Sequence, residues 1–98
     1  MSKVELNEEK LMELTGKVFE NVSAAGSLLV AYIGDQAGVY SSLDEHGPCS
    51  AEALAKKTNL DERYLLEWLS ANAAMGYITY HEDNDQFSLT PEQAAIFA

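Results

Sequence analysis

The stretch DERYLLEWLSANAAMGYITYHEDNDQFSLT, residues 61–90, decides the fold of this chain. Its first half has the pattern of a helix, with Asp61 as the N-cap and Gly76 as the residue that ends it. Two β-rich runs follow, GYITY and FSLT, and turn-forming residues separate them. The stretch therefore predicts a helix from Glu62 to about Met75, followed directly by a β-hairpin.

A second helix is predicted just before this stretch. Gly47 and Pro48 form a turn, Ser50 is the N-cap, and AEALAKKT has the composition of a short helix. About three residues join it to the next helix, which matches the helix-turn-helix pattern. With the hairpin as its wing, the fold class is mainly α with a small β-hairpin, a winged helix-turn-helix. Pro91 begins a last short helix.

The N-terminal segment, residues 1–44, is predicted to form long helices. Asn7 caps the first one, and Gly26 with Ser27 predicts a break or a kink before a helix resumes through LLVAYIGDQAGVYSSL. Around residues 28–33 apolar side chains cover every face, and a chain this short can hardly bury such a helix alone. We therefore predict a homodimer. The predicted interface residues are Leu28, Leu29, Tyr32 and Ile33.

The charge pattern argues against nucleic acid as a partner. Six basic and 16 acidic residues give a net charge of −10. From Asp61 to Ala98 the only cation is Arg63, and Glu67 follows four residues later, where it can neutralise that cation. Affinity for DNA needs several Lys or Arg contacts with phosphates. A free-standing winged-helix transcription regulator is therefore kept only as the alternative interpretation.

The sequence also predicts a cytoplasmic protein without a membrane span. Cys49 is the only cysteine, so no internal disulfide forms, and the polar N-terminus does not have the pattern of a signal peptide. The longest mostly apolar run, VSAAGSLLVAYI, is too short to cross a bilayer.

No catalytic or metal site is predicted. Asp44, His46 and Cys49 lie close together in the sequence but lack the paired spacing of a structural zinc site. The run HEDND, residues 81–85, lacks the spacing of a calcium-binding loop. We interpret it as a solvated turn at the tip of the wing.

Four blocks between Gly34 and Phe97 carry a family resemblance: GDQAGVY, GPCSAEALAKKTNLDERYLLEWL, NAAMGYITY and FSLTPEQAAIF. Together they resemble the N-terminal winged-helix dimerisation domain of S-adenosylmethionine-dependent small-molecule methyltransferases. The resemblance implies a homodimer and a Rossmann-like catalytic domain that binds S-adenosylmethionine through a Gly-rich loop.

That catalytic machinery is absent from this sequence, which has no G-x-G and lacks the length for a doubly wound sheet. The resemblance implies that such a winged helix is a dimerisation module and a partial lid on the substrate pocket. The chain is therefore interpreted as a non-catalytic dimerisation and substrate-lid domain, truncated before the catalytic part and without a cofactor of its own. Residues 1–44 would form the dimerisation segment and residues 45–98 the winged-helix domain, together one compact unit.

Three polar residues are candidates for a substrate pocket. For Tyr32 and Gln36 the pocket would lie across the dimer, and for Asn72 the catalytic domain would complete it. Tyr32 and Gln36 share a helix face, and Asn72 lies on the apolar stripe of the helix that begins after Asp61. Each has a structural alternative, which is packing in the core or interface for the first two and backbone capping or a dimer contact for Asn72. Trp68 is expected to anchor the core.

Overall fold

A computed structural model describes residues 4–98, so the first three residues of the predicted N-terminal segment lie outside the described range. Five helices and one two-stranded sheet follow one another along the chain. They are α1 (Glu8–Gln36), α2 (Val39–His46), α3 (Ala51–Thr58), α4 (Glu62–Met75), β1 (Thr79–His81), β2 (Gln86–Ser88) and α5 (Pro91–Phe97). The predicted winged helix-turn-helix is confirmed, with α3 and α4 as its helix pair and the β1–β2 hairpin as its wing.

The ends of the helices lie where capping residues were predicted. The side chains of Asn7, Ser50 and Asp61 each accept a hydrogen bond of 3.1 Å from the backbone N–H three residues later. Gly76 ends α4 in the left-handed conformation, with φ 81°. Local capping chemistry therefore sets the bounds of the helix-turn-helix.

A break or a kink was predicted at Gly26 and Ser27, and the break is wrong, because α1 is continuous over 29 residues. The hydroxyl of Ser27 donates to the carbonyl of Ser23 (3.0 Å) and so remains within the helix. The chain turns instead at Ala37 and Gly38, where Gly38 adopts a φ of 73°. The helix predicted to run through LLVAYIGDQAGVYSSL is therefore two helices, the end of α1 and the start of α2.

The core lies between α2, α3, α4 and the hairpin. Its fully buried apolar side chains are Tyr40, Leu43, Leu54, Leu69 and Ile78. Helix α1 adds only Ala31 and Gly34 to the buried set. The predicted boundary between residues 44 and 45 falls inside α2, whose side chains pack in this same core.

The hairpin is tied to the rest of the molecule by backbone hydrogen bonds. Strands β1 and β2 are antiparallel, with Tyr80 opposite Phe87. Cys49, in the connection between α2 and α3, exchanges hydrogen bonds of 3.0 and 2.7 Å with Phe87. The wing is therefore part of the folded body.

Helix α5 is held by the side chain of Gln93. This side chain completes the capping box with Thr90, accepts from the Thr79 hydroxyl (3.0 Å) and donates to the Gly76 carbonyl (3.0 Å). One amide therefore joins α5 to both β1 and the end of α4.

Within residues 4–98, no helix combines the length and the apolar character that crossing a bilayer requires.

Candidate functional site

Most of α1 projects away from the body and carries apolar side chains on its surface. Every residue from 4 to 26 is exposed. Ten large apolar residues of this helix are each at least 47% exposed: Leu11, Met12, Leu14, Val18, Phe19, Val22, Leu28, Leu29, Tyr32 and Ile33. The four predicted interface residues are among them. This set is called the α1 apolar surface below.

The last part of α1 is fastened to α4 by Trp68. The indole N–H of Trp68 donates to the carbonyl of Val30 (2.8 Å), and its ring covers Gly34. A Cβ atom at Gly34 would lie only 1.8 Å from Cζ2 of that ring, so glycine is needed here. Trp68 packs against the core as predicted. The role of Gly34 was not predicted, because sequence spacing does not reveal which residue meets the indole.

An open apolar groove of about 450 Å³ lies beside this junction, between the end of α1 and the start of α4. Ile33, Gly34 and Ala37 line one side, and Leu60, Tyr64 and Trp68 line the other. The only charged residue along the groove is Asp61, and its carboxylate already accepts from a backbone N–H as the cap of α4. The groove therefore suits an apolar side chain better than a polar ligand.

Asn72 is completely enclosed by the body of the protein. Its carboxamide oxygen accepts a hydrogen bond from the hydroxyl of Tyr40, and its nitrogen donates to the Trp68 carbonyl (2.9 Å). Both side chains are at most 1% exposed. This amide therefore connects α2 to α4 and satisfies its own polar atoms inside the fold. A role for Asn72 toward substrate stays a prediction.

The same enclosure changes the acidity of Tyr40. Burial of the phenol, with smaller contributions from Tyr77 and Asp35, raises the pKa of Tyr40 from 10.0 to about 12. The neutral phenol is the form that the body accommodates, because only the neutral form donates to Asn72.

The three candidate pocket residues do not form one surface. Tyr32 and Gln36 are exposed one turn apart on α1, whereas Asn72 is buried. None of the three lines the groove beside Trp68. Any shared role toward a substrate would need groups from outside the described residues.

The surface by which a winged helix would approach DNA is acidic. On the outward face of α4, Arg63 lies 3.9 Å from Glu67, and both side chains are exposed. The residues of the wing tip, 82–85, are exposed and include three carboxylates. At Asp85 the carboxylate accepts from the Tyr80 hydroxyl (2.8 Å), which raises the pKa of Tyr80. This surface offers little to attract phosphate.

No grouping of three His, Cys, Asp or Glu side chains suited to a metal ion occurs within residues 4–98. Asp44, His46 and Cys49, which were considered as metal ligands from the sequence, differ in their exposure to solvent. Asp44 and His46 are exposed, and Cys49 is buried. Burial raises the pKa of the Cys49 thiol, and Lys57 opposes that rise.

Solved structures with the same fold include three proteins named as methyltransferases. The mitomycin 7-O-methyltransferase MmcR matches 94% of this chain with a TM-score of 0.76 and 23% identity. A protein of Nostoc punctiforme PCC 73102, provisionally named an O-methyltransferase, matches 81% with a TM-score of 0.69 and 20% identity. The N,N-8-amino-8-demethyl-D-riboflavin dimethyltransferase RosA of Streptomyces davawensis matches 89% with a TM-score of 0.59 and 23% identity.

These likenesses concern the fold, and the chain spans only 27%, 23% and 23% of the three proteins. A comparison with curated protein sequences finds no match. The family model described as the Rv2258c-like winged HTH domain matches residues 24–98, from the middle of α1 to the end of α5. The chain therefore belongs to the Rv2258c-like winged HTH domain family.

Proposed function

We propose that this chain is the non-catalytic dimerisation and substrate-lid domain of an S-adenosylmethionine-dependent methyltransferase. The observation that carries the proposal is the α1 apolar surface on a helix whose first half is exposed throughout. The shared fold with proteins named as methyltransferases supports the choice of parent enzyme.

A second copy of this chain is the proposed cover for that surface. The ten side chains of the α1 apolar surface together expose on the order of 1,000 Å² to solvent. In a standard protein–protein interface each partner buries about 800 Å² of surface. Soluble monomers rarely expose an apolar patch of this size. A homodimer would remove the patch from water without any other partner.

The two parts of the chain would then have different roles. Residues 1–44 would supply the dimer interface, with Leu28, Leu29, Tyr32 and Ile33 in it, and residues 45–98 would supply the winged-helix body. These two parts differ in role but are not separate folding units, because α2 crosses the boundary and packs in the shared core.

The lid role would belong to exposed side chains. Tyr32 and Gln36 are exposed on α1, and across the dimer they would face a substrate held by a neighbouring catalytic domain. Asn72 would act indirectly, because its amide is engaged with Tyr40 and with the backbone of Trp68. It would keep α2 and α4 in place beneath the lid surface.

S-adenosylmethionine is assigned to the rest of the parent enzyme. The groove beside Trp68 does not suit that cofactor, because it is apolar and its one carboxylate is already engaged as a helix cap. Recognition of the ribose and amino-acid groups needs several free polar partners.

We keep the cytoplasm as the proposed compartment, since the single cysteine of the chain is buried as a free thiol.

Light scattering on the purified chain tests the dimer. At tens of micromolar we expect the mass of two chains, and the variant Leu29→Glu with Tyr32→Glu should be monomeric, because two charges cannot be desolvated in an apolar interface. Ile96→Glu is the matched control, since Ile96 is 76% exposed on α5 and should leave the dimer intact. If the chain without substitutions were a monomer, this result would refute the proposal.

Two ligand titrations separate this proposal from its competitors. Calorimetry of the chain with S-adenosylmethionine should give no heat of binding, and tight binding would indicate a complete enzyme. Titration with duplex DNA at low salt should give no complex. Salt-sensitive binding to DNA would instead favour the winged-helix transcription regulator.

A further inference from the structure

Helix α1 contains two glycines, Gly16 and Gly26, that no contact within residues 4–98 explains. Gly34 is required by the indole of Trp68, but a Cβ atom at Gly26 would meet no atom within 4 Å. A glycine inside a helix weakens the helix, and its usual benefit is the close approach of another group. Both glycines are exposed, so that group would come from outside the described residues. Of the two, only Gly26 is seven residues from Ile33, which lines the groove.

Gly26 lies on the same face of α1 as the groove. Phe19, Gly26 and Ile33 follow one another at intervals of seven residues, which is about two turns, so they share one stripe. Ile33 lines the groove beside Trp68, and Phe19 is a 68% exposed aromatic residue at the other end of the stripe. Gly26 is the midpoint between them.

This spacing distinguishes the two ways in which α1 helices can pair about a two-fold axis. In an antiparallel pair that crosses at Gly26, Phe19 of one copy faces Ile33 of the second copy, beside the groove. In a parallel pair each residue faces itself, so Phe19 would meet Phe19 and both grooves would stay open. Only the antiparallel arrangement covers the groove with an aromatic side chain.

We propose that two copies associate through antiparallel α1 helices that cross at Gly26, and that Phe19 of each copy fills the groove of the other. This inference rests on the proposed dimer and adds its register and the occupant of the groove. The carboxylate of Asp61 remains at the rim as the cap of α4 and does not oppose the entry of an aromatic ring.

Cysteine cross-linking in the full chain tests the register. Cys49→Ala first removes the only thiol, and Phe19→Cys, Gly26→Cys and Ile33→Cys are then made one at a time in that background. Under mild oxidation we expect Gly26→Cys to link to itself, because the two copies of this position meet at the axis. Phe19→Cys should link to Ile33→Cys when the two proteins are mixed, and it should not link to itself.

The two possible failures are distinguishable. A dimer by light scattering in which Phe19→Cys links readily to itself would overturn the antiparallel register while leaving the dimer proposal intact. A monomer by light scattering would overturn both proposals.

Truncating or blocking the contact tests the occupant of the groove. Phe19→Ala should weaken the dimer by at least about 30-fold in Kd, as removal of a central aromatic anchor does. Ala37→Trp, which fills the groove from its own chain, should weaken the dimer similarly.

Ile96→Ala is the matched control and should change Kd by less than about twofold. All three positions are exposed, so circular dichroism should report the same helix content. A Kd for Phe19→Ala within about threefold of the parent would overturn the assignment.

Discussion

The two ends of α1 differ in what holds them. The last ten residues lie against the body, where Trp68 covers Gly34 and donates to Val30. Residues 8–26 are exposed and find no cover in the part of the chain that the structure describes, although they carry apolar side chains of the same kind. A free helix of this length is marginal in water, because most helix stability in proteins comes from packing. The comparison shows that the last third of α1 is stabilised by tertiary contacts, whereas the first two thirds are exposed.

The largest expected effect breaks the packed end. Gly34→Ala should lower the free energy of unfolding by about 3 kcal/mol, because the new methyl group and the indole cannot occupy the same space. Gly16→Ala is the matched control, since a Cβ atom at Gly16 meets nothing within 4 Å. That change should raise stability by about 0.5–1 kcal/mol through helix propensity. Urea denaturation at one protein concentration measures both, and equal stability of the two variants would contradict the described junction.

The next effect concerns the body to which that end is fastened. Asn72→Ala should cost about 2 kcal/mol, because the enclosed hydroxyl of Tyr40 loses its acceptor. Tyr40→Phe should cost about 1 kcal/mol, since the amide of Asn72 keeps its bond to the Trp68 carbonyl. In the double variant the two losses should not add, because both remove the same hydrogen bond. Strict additivity in denaturation experiments would show that the pair does not interact.

A smaller effect depends on pH. The pKa of Tyr40 is raised from 10.0 to about 12 in the folded state, so folding favours the protonated phenol. Its contribution is fully present below pH 10 and is lost as the pH rises toward 12. The unfolding free energy of the parent chain should therefore fall more steeply over this interval than that of Tyr40→Phe. If the unfolding free energies of the two proteins fell equally between pH 10 and 12, this result would argue against a buried phenol at Tyr40.

The smallest effect is expected at the tip of the wing. Glu82→Gln, Asp83→Asn and Asp85→Asn together should change stability by less than about 0.5 kcal/mol, because these side chains are exposed. The amide at position 85 can still accept from Tyr80. Light scattering should show the same oligomeric state as for the parent chain. Loss of the dimer in this variant would contradict the interpretation of the tip as a solvated turn.

The sequence predicted best what local chemistry decides. The bounds of α4 follow from the cap at Asp61 and the left-handed Gly76, and both signals act within one turn of the helix. Gly26 was misjudged for a physical reason. A glycine lowers helix propensity without forcing a turn, and the chain turns where Gly38 adopts a positive φ.

The site was harder to predict because it depends on contacts between distant residues. The apolar character of residues 28–33 indicated a surface that needs a partner, but the groove exists only because Trp68 reaches α1 from α4. The partner of Asn72 is likewise 32 residues away in the sequence. Periodicity identifies the face on which a residue lies and says nothing of what meets that face.

The position of Cys49 gives the molecule an internal probe of opening. Its thiol is 4% exposed, and its backbone is bonded to Phe87 in both directions. An alkylating reagent can reach this sulfur only when the hairpin separates from the connection between α2 and α3. Fraying of the free half of α1 leaves the sulfur covered. The alkylation rate of one native side chain therefore reports the opening of the body separately from motion of the projecting helix.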